Sequence, residues 1–276
     1  MRLGIGTYAF RWAVGTPTFP SPNPLTAGRF VRLVAELGAE VAQFAENLPL
    51  ERLTPAELDE LRRTADGLGV ALEVGTAGCT PERLRRHLDI AQRLGSDLVR
   101  LVLHSGDCSP TPQQALEALR EVLPRYERAG VSIAVENHFL LCSPALLDLV
   151  RATQSPALGV CLDTANSIAC GEWPLETAKM LAPFALTVHL KDYTIRPDPD
   201  GAGLVISGAP LGEGHQDLPQ LMRALALPAS RNASLVLEQW LPKSADPAAL
   251  LRQELDWVQR GVAAARRLLQ AAGARS

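Results

Sequence analysis

The chain has 276 residues, 47% of them apolar, and its 27 basic against 30 acidic side chains leave a net charge of -3. That length suits one large domain or two small ones, the apolar content is ample for a core, and the lack of a positive excess argues against a nucleic-acid partner. No stretch reaches the roughly 18 apolar residues of a membrane span, and Met1-Arg-Leu-Gly-Ile-Gly runs straight into a strand-like segment without an apolar leader. These features predict a soluble, cytoplasmic protein with no membrane partner. Cys79, Cys108, Cys142, Cys161 and Cys170 are odd in number and form no C-x-x-C pair, which argues against a disulfide framework and a thiolate zinc site.

In chain order, apolar runs predict strands at Leu3–Gly6, Glu40–Phe44, Val70–Val74, Asp97–His104, Val131–Glu136, Leu158–Asp163, Ala185–His189 and Ser234–Glu238. Helical patterns fill the gaps between them. Thr54, Thr80, Thr111 and Ser143 each place a capping hydroxyl before a proline at the first helical position. Gly38, Gly69, Gly95 and Gly130 follow helices and precede strands, as C-terminal caps should. The last helix is predicted from about Pro247 to Ala272, with an apolar stripe through Leu250, Leu251, Leu255, Val262 and Leu269. Strands that read as continuous apolar runs are buried on both faces by crossover helices. Eight such units predict an α/β fold, a single (β/α)8 TIM barrel forming one domain over residues 1–276, with no linker or low-complexity stretch. Two connections are long, Arg11–Thr26 and Tyr193–Asp217, and both follow the C-terminal end of a strand. Active sites of such barrels are built on that face.

Four polar residues stand where strand cores run out: Glu136, Asp163, His189 and Glu238. Buried charge without a partner costs several kcal/mol, and alternation along the strands turns all four to one face while Ile133, Val135, Leu162, Val188, Leu235 and Leu237 turn to the helices. Three carboxylates and one imidazole have the composition of a divalent-metal site. Hard oxygen ligands favour Mn²⁺ or Mg²⁺, with Co²⁺ and Zn²⁺ also compatible. The bland alternative is a set of hydrogen-bonded polar groups on the rim of the barrel, with no metal.

The segments Val135-Glu-Asn-His, Cys161-Leu-Asp-Thr-Ala-Asn-Ser, Val188-His-Leu-Lys-Asp-Tyr, Pro210-Leu-Gly-Glu-Gly and Leu237-Glu-Gln resemble motifs of the xylose isomerase-like TIM-barrel superfamily, in its sugar isomerase and epimerase branch. The resemblance spans essentially the whole chain. It implies that Glu136, Asp163, His189 and Glu238 bind one metal ion, that Glu136 and Glu238 also serve as acid/base groups on opposite faces of a substrate, and that dimers or tetramers are the assemblies to expect. The expected chemistry is isomerisation or epimerisation of a small ketose, keto-sugar or polyol, with proton removal next to a carbonyl giving an enediolate. Several epimerases of that family carry a histidine where this chain has Asn166, and strand two lacks the acid of some relatives although Glu46 stands close by, so the substrate stays open.

Further substrate-binding candidates are His104 at the end of strand four, Lys191 two residues past His189, Arg196 and Glu213 in the long loop, Asn166, and Trp12 as an apolar wall; Phe10, His138 and His215 are weighed beside them. For each, a structural or surface role is the competing reading. Gly212 and Gly214 would let backbone approach a ligand closely. Three rival functions remain: a keto-sugar or keto-inositol dehydratase or lyase using the same enediolate, a non-catalytic sugar-binding protein, and an endonuclease IV-like DNA-repair enzyme. The last needs extra histidine and aspartate ligands, and five histidines leave few to spare.

Overall fold

The computed structural model describes residues 1–273; the final three residues of the expected domain lie outside it. Its strands are β1 (Arg2–Gly6), β2 (Val41–Gln43), β3 (Ala71–Ala77), β4 (Leu98–Val102), β5 (Ser132–Glu136), β6 (Leu158–Asp163), β7 (Ala185–Leu190), β8 (Asp192–Pro197), β9 (Leu204–Ala209) and β10 (Ser234–Leu237). All but β8 and β9 pair in parallel and close into a barrel in the order β1-β10-β7-β6-β5-β4-β3-β2. Around it run α1 (Arg11–Val14), α2 (Ala27–Glu36), α3 (Pro55–Leu68), α4 (Pro81–Leu94), α5 (Pro112–Ala129), α6 (Ser143–Thr153), α7 (Pro174–Leu181), α8 (Leu218–Ala224), α9 (Ala226–Ser230) and α10 (Pro247–Gly273). This is the (β/α)8 barrel that the alternating pattern predicts. No helix among the described residues is long and apolar enough to cross a membrane.

Helix ends follow the local chemistry. Thr54, Thr80 and Thr111 accept from the backbone N–H three residues on, and the first and third complete capping boxes with Glu57 and Gln114. Ser143 does not cap as predicted. It lies inside α6, and its N–H and hydroxyl both donate to Glu172, whose carboxylate takes over the helix terminus.

The long loop Tyr193–Asp217 holds secondary structure that the apolar runs do not reveal. β8 and β9 form an antiparallel hairpin outside the barrel, turning at Gly201 with φ of 76°. Behind it the Asp192 carboxylate accepts N–H groups of Tyr193, Gly212, Gly214 and Gln216. The Gly-Glu-Gly segment therefore wraps this carboxylate, instead of offering its backbone to a ligand.

Facing is set by register. Ile133, Val135, Leu162, Val188, Leu235 and Leu237 join the main core beneath the helices, each contributing about 1.5–3 kcal/mol through burial. Ala134, Cys161 and Leu98 form a small cluster inside the barrel. Between β6 and β7 the register slips by one residue at Val160/Cys161, which puts Asp163 level with His189. Without that slip Asp163 would pair with Val188, whose side chain faces the helices, and the two polar residues would lie on opposite faces.

Candidate active site

The strand ends bring Glu136, Asp163, His189 and Glu238 together at the C-terminal mouth of the barrel, each at most 2% exposed. The Asn137 side chain bonds both the N–H and the carbonyl of Asp163, pinning β6 to the end of β5. The Asp163 Oδ1 accepts the N–H groups of Ala165 and Asn166 at 2.8 Å each, which leaves Oδ2 for the barrel axis. Gly6 makes room for Glu238: a Cβ at that position would stand 2.8 Å from Glu238 Oε1.

His189 Nδ1 lies 3.4 Å from Glu238 Oε2, 3.5 Å from Glu136 Oε2 and 3.7 Å from Asp163 Oδ2. It is hydrogen-bonded to none of them, and Glu238 Oε1 is likewise a buried atom without a partner. The other ring nitrogen, Nε2, meets Gln43 Oε1 at 2.5 Å; a carbonyl oxygen only accepts, so Nε2 carries the proton and Nδ1 is the nitrogen available to a cation. Asp163, His189 and Glu238 form one group whose ligand atoms lie within 4.8 Å of one another, and Glu136, Cys161 and His189 form a second. Such orphaned donors around one point suit a divalent cation, with Asp163, His189 and Glu238 as its first ligands and Glu136 at the edge.

Glu136 is drawn aside by a residue that the end-of-strand pattern misses. Arg100, in the middle of β4 and fully buried, donates Nε to Glu136 Oε2 at 2.5 Å and Nη1 to Glu46 Oε2 at 2.6 Å. Asn166 donates to the other Glu136 oxygen at 2.8 Å. A lone cation inside the apolar run Leu98-Val-Arg-Leu-Val is the same signal that marks the four ligand candidates. Lys191 closes the cluster with its ammonium on Asp163 Oδ2 and 3.0 Å from Glu238 Oε2.

These contacts govern protonation. Burial pushes the Asp163 carboxyl up, but Lys191 and His189 more than offset it, and it is held below its ordinary value. Glu238 is likewise depressed: burial is outweighed by His189 and Lys191. Burial opposes charge on His189, yet the Glu238 and Glu136 carboxylates raise its pKa well above the ordinary value, so a cation binding at Nδ1 would displace a proton from it. Burial pushes the Cys161 thiol up to about 11, so it stands neutral beside them.

Beside this cluster, across Trp240, opens a cavity of about 670 Å³ that Trp12 and Arg196 help to line. Trp12 is fixed there by its indole N–H on Leu241 O at 3.0 Å, and by Glu254, whose carboxylate takes the N–H groups of Trp12 and Ala13. Most of the remaining candidates lie elsewhere. His104 is half-buried past the end of β4, outside both the cluster and the cavity lining. Glu213 pairs with Arg260 on the exposed face of α10, drawn outward by that guanidinium. Phe10 packs in the core against Phe30 and His215 takes the N–H of Ile195, whereas His138 stays near the cluster: its ring tilts against Phe139 of the cavity wall, and burial lowers its pKa although Glu136 stands close enough to oppose this.

Three comparisons place the chain. Residues 31–261 match the family model for the xylose isomerase-like TIM barrel. Over 262 residues the chain is 34% identical to the 3-oxo-isoapionate decarboxylase of Pectobacterium atrosepticum, covering 95% of this chain and 94% of that protein. Its backbone is similar to that of D-psicose 3-epimerase from Clostridium cellulolyticum H10, solved with D-tagatose, at a TM-score of 0.72 and 17% identity over 98% of this chain and 99% of that one. A xylose isomerase-like TIM barrel protein from Mycobacterium smegmatis, solved in complex with magnesium, gives a TM-score of 0.64 at 18% identity, covering 95% of this chain and 97% of that one. With the closed barrel and the match of residues 31–261 to the family model in agreement, the chain belongs to the xylose isomerase-like TIM-barrel family.

Proposed function

We propose that this chain is a divalent-metal-dependent enzyme that generates an enediolate from a keto-sugar derivative, and that it does so by decarboxylating a 3-oxo sugar acid. The observation that carries the reading is the unequal state of the two glutamates. Glu136 has both oxygens engaged, by Arg100 and Asn166, whereas Glu238 keeps a buried oxygen without a partner. Epimerisation through two opposed acid/base groups needs both carboxylates free to move a proton. Decarboxylation needs one. Its carbon–carbon bond breaks toward CO₂, the electron pair passes into the carbonyl next to it, and the carbon left behind takes a single proton. The relationship to a 3-oxo-isoapionate decarboxylase over nearly the whole chain supports the same choice.

Asp163, His189 and Glu238 would hold the metal, Mn²⁺ or Mg²⁺ by the weight of oxygen ligands. When bound, such an ion supplies Lewis acidity that lowers the energy of an oxyanion at the substrate carbonyl. Gln43 fixes the His189 tautomer, and Arg100 orients Glu136. Lys191, displaced from between the two carboxylates, would stand at the mouth beside Trp240, whose ring centroid is 5.4 Å from its ammonium. Glu238, whose Oε1 has no partner, would relay the proton once Lys191, one cause of its depressed pKa, is displaced.

Purified protein incubated with Mn²⁺ or Mg²⁺ and a 3-oxo sugar acid in D₂O should release CO₂ and give a ketose carrying one deuterium at the new C–H bond. If neutral ketoses were interconverted with conserved mass and no 3-oxo acid lost CO₂, the isomerase reading implied by the motifs would replace this one.

A further inference from the structure

The cavity beside the cluster differs in charge from the molecule around it. Arg11, Arg196 and Lys243 line it and no carboxylate does, although the chain as a whole carries more acids than bases. Other arginines also lack an ion pair, so what sets these three cations apart is that they share the lining of one concavity with no carboxylate to neutralise them, unlike Arg93 on Asp59 or Arg62 on Asp66. None of the three forms an ion pair among the described residues. Their placement comes from three separate elements. Arg11 opens α1 and lies over the Trp12 ring at 5.1 Å. Arg196 sits near the end of β8, and Lys243 is anchored by its ammonium to Thr18 O at 2.7 Å. Gly208 of β9 seats the hairpin on Trp240, where a Cβ would come within 2.4 Å of the Trp240 carbonyl oxygen, so Arg196 is carried by an element packed directly on the wall shared with the metal cluster.

We propose that Arg11, Arg196 and Lys243 form an anion subsite that binds a carboxylate or phosphate carried by the substrate, and that this subsite selects sugar acids or sugar phosphates over neutral sugars. The inference rests on the reading of the neighbouring cluster as the reaction centre for a keto-sugar derivative. Guanidinium forks match planar carboxylate and phosphate oxygens bidentately, and a concave site lined by one sign of charge concentrates the opposite sign. The volume of about 670 Å³ lies within the ordinary range for small-molecule sites. Arg196 is exposed and supports nothing in the core, and methionine in place of Arg11 keeps an aliphatic stem over Trp12, so these replacements test recognition with little disturbance of the fold.

The test is calorimetric binding of three non-reacting six-carbon probes to the full-length protein, as purified and again in EDTA: D-gluconate, D-glucitol 6-phosphate and D-glucitol. The expected result is that one or both anions bind at least tenfold more tightly than glucitol, that salt weakens this binding, that Arg196→Met and Arg11→Met each reduce it about tenfold, and that Arg196→Lys restores most of it. Preference for gluconate identifies a carboxylate as the bound group, and preference for the phosphate identifies that. Equal affinity for all three probes, or anion binding untouched by both Met variants, would overturn the assignment. Because binding is read with and without metal and without turnover, failure here is distinct from failure of the decarboxylase reading, which is judged by CO₂ release.

Discussion

Two layers of polar side chains cross the inside of this barrel, and they meet the cost of burial in opposite ways. In the lower layer Glu73 is 3% exposed, accepts from Gln43 at 2.7 Å and lies 3.5 Å from the Thr187 hydroxyl, which in turn meets Ser234 at 2.7 Å. Burial, only partly countered by Ser234 and Gln43, raises the Glu73 carboxyl above its ordinary value, so this layer eases its cost by favouring the protonated form and by hydrogen bonding. The upper ring holds Asp163 and Glu238 below their ordinary pKa values against burial by means of Lys191 and His189, pairs Glu136 with Arg100, and still leaves His189 Nδ1 and Glu238 Oε1 unpartnered. Gln43 joins the two layers, its amide nitrogen on Glu73 and its oxygen on His189. Burial of polar groups alone is therefore a weak sign of function. Buried charge with atoms left over is a strong one.

The largest effect that follows is on the upper ring. Glu238→Gln should abolish tight metal binding, measured by elemental analysis, and lower turnover by about a thousandfold, the scale of losing a charge that acts on the reacting centre. Full metal occupancy in that variant would remove Glu238 from the ligand set. Next in size, Arg100→Met should cost about 3–5 kcal/mol in urea denaturation, because it leaves the buried Glu136 and the partly exposed Glu46 without their shared partner. A loss below about 1 kcal/mol would mean that the ring tolerates unpaired carboxylates, and the contrast between the layers would collapse.

The smallest effect belongs to the lower layer. Glu73→Gln, isosteric with the protonated acid, should change stability at acid pH by about 1 kcal/mol or less and leave metal content unaltered. Its pH dependence carries the sign. A carboxyl whose folded-state pKa is raised favours folding below the ordinary carboxylate value, and that contribution is lost as pH climbs through the raised value. The wild type should therefore lose stability relative to Glu73→Gln as pH rises out of the carboxylate range, and parallel curves for the two proteins would show that Glu73 is ionised in the fold.

The amino-acid sequence by itself determined the barrel and the identity of the strand-end quartet. Both are local signals: apolar runs of strand length, threonine-proline helix starts, and a polar residue breaking an apolar run. The hairpin β8–β9 was less legible because its exposed strands pack on one face only, so Leu204 and Ile206 reach solvent and no continuous apolar run marks them. His104 and Glu213 share residue types with the strand-end quartet, and only the path of the chain past β4 and the reach of Arg260 set them apart from it. Tertiary structure alone decided how the quartet divides. The register slip at Val160/Cys161 turns Asp163 and His189 to the same face, and Arg100, a strand away, takes Glu136 from the group that Asp163, His189 and Glu238 keep. Such divisions depend on distances of a few ångströms between side chains dozens of residues apart in sequence, and closure of the barrel is what fixes them.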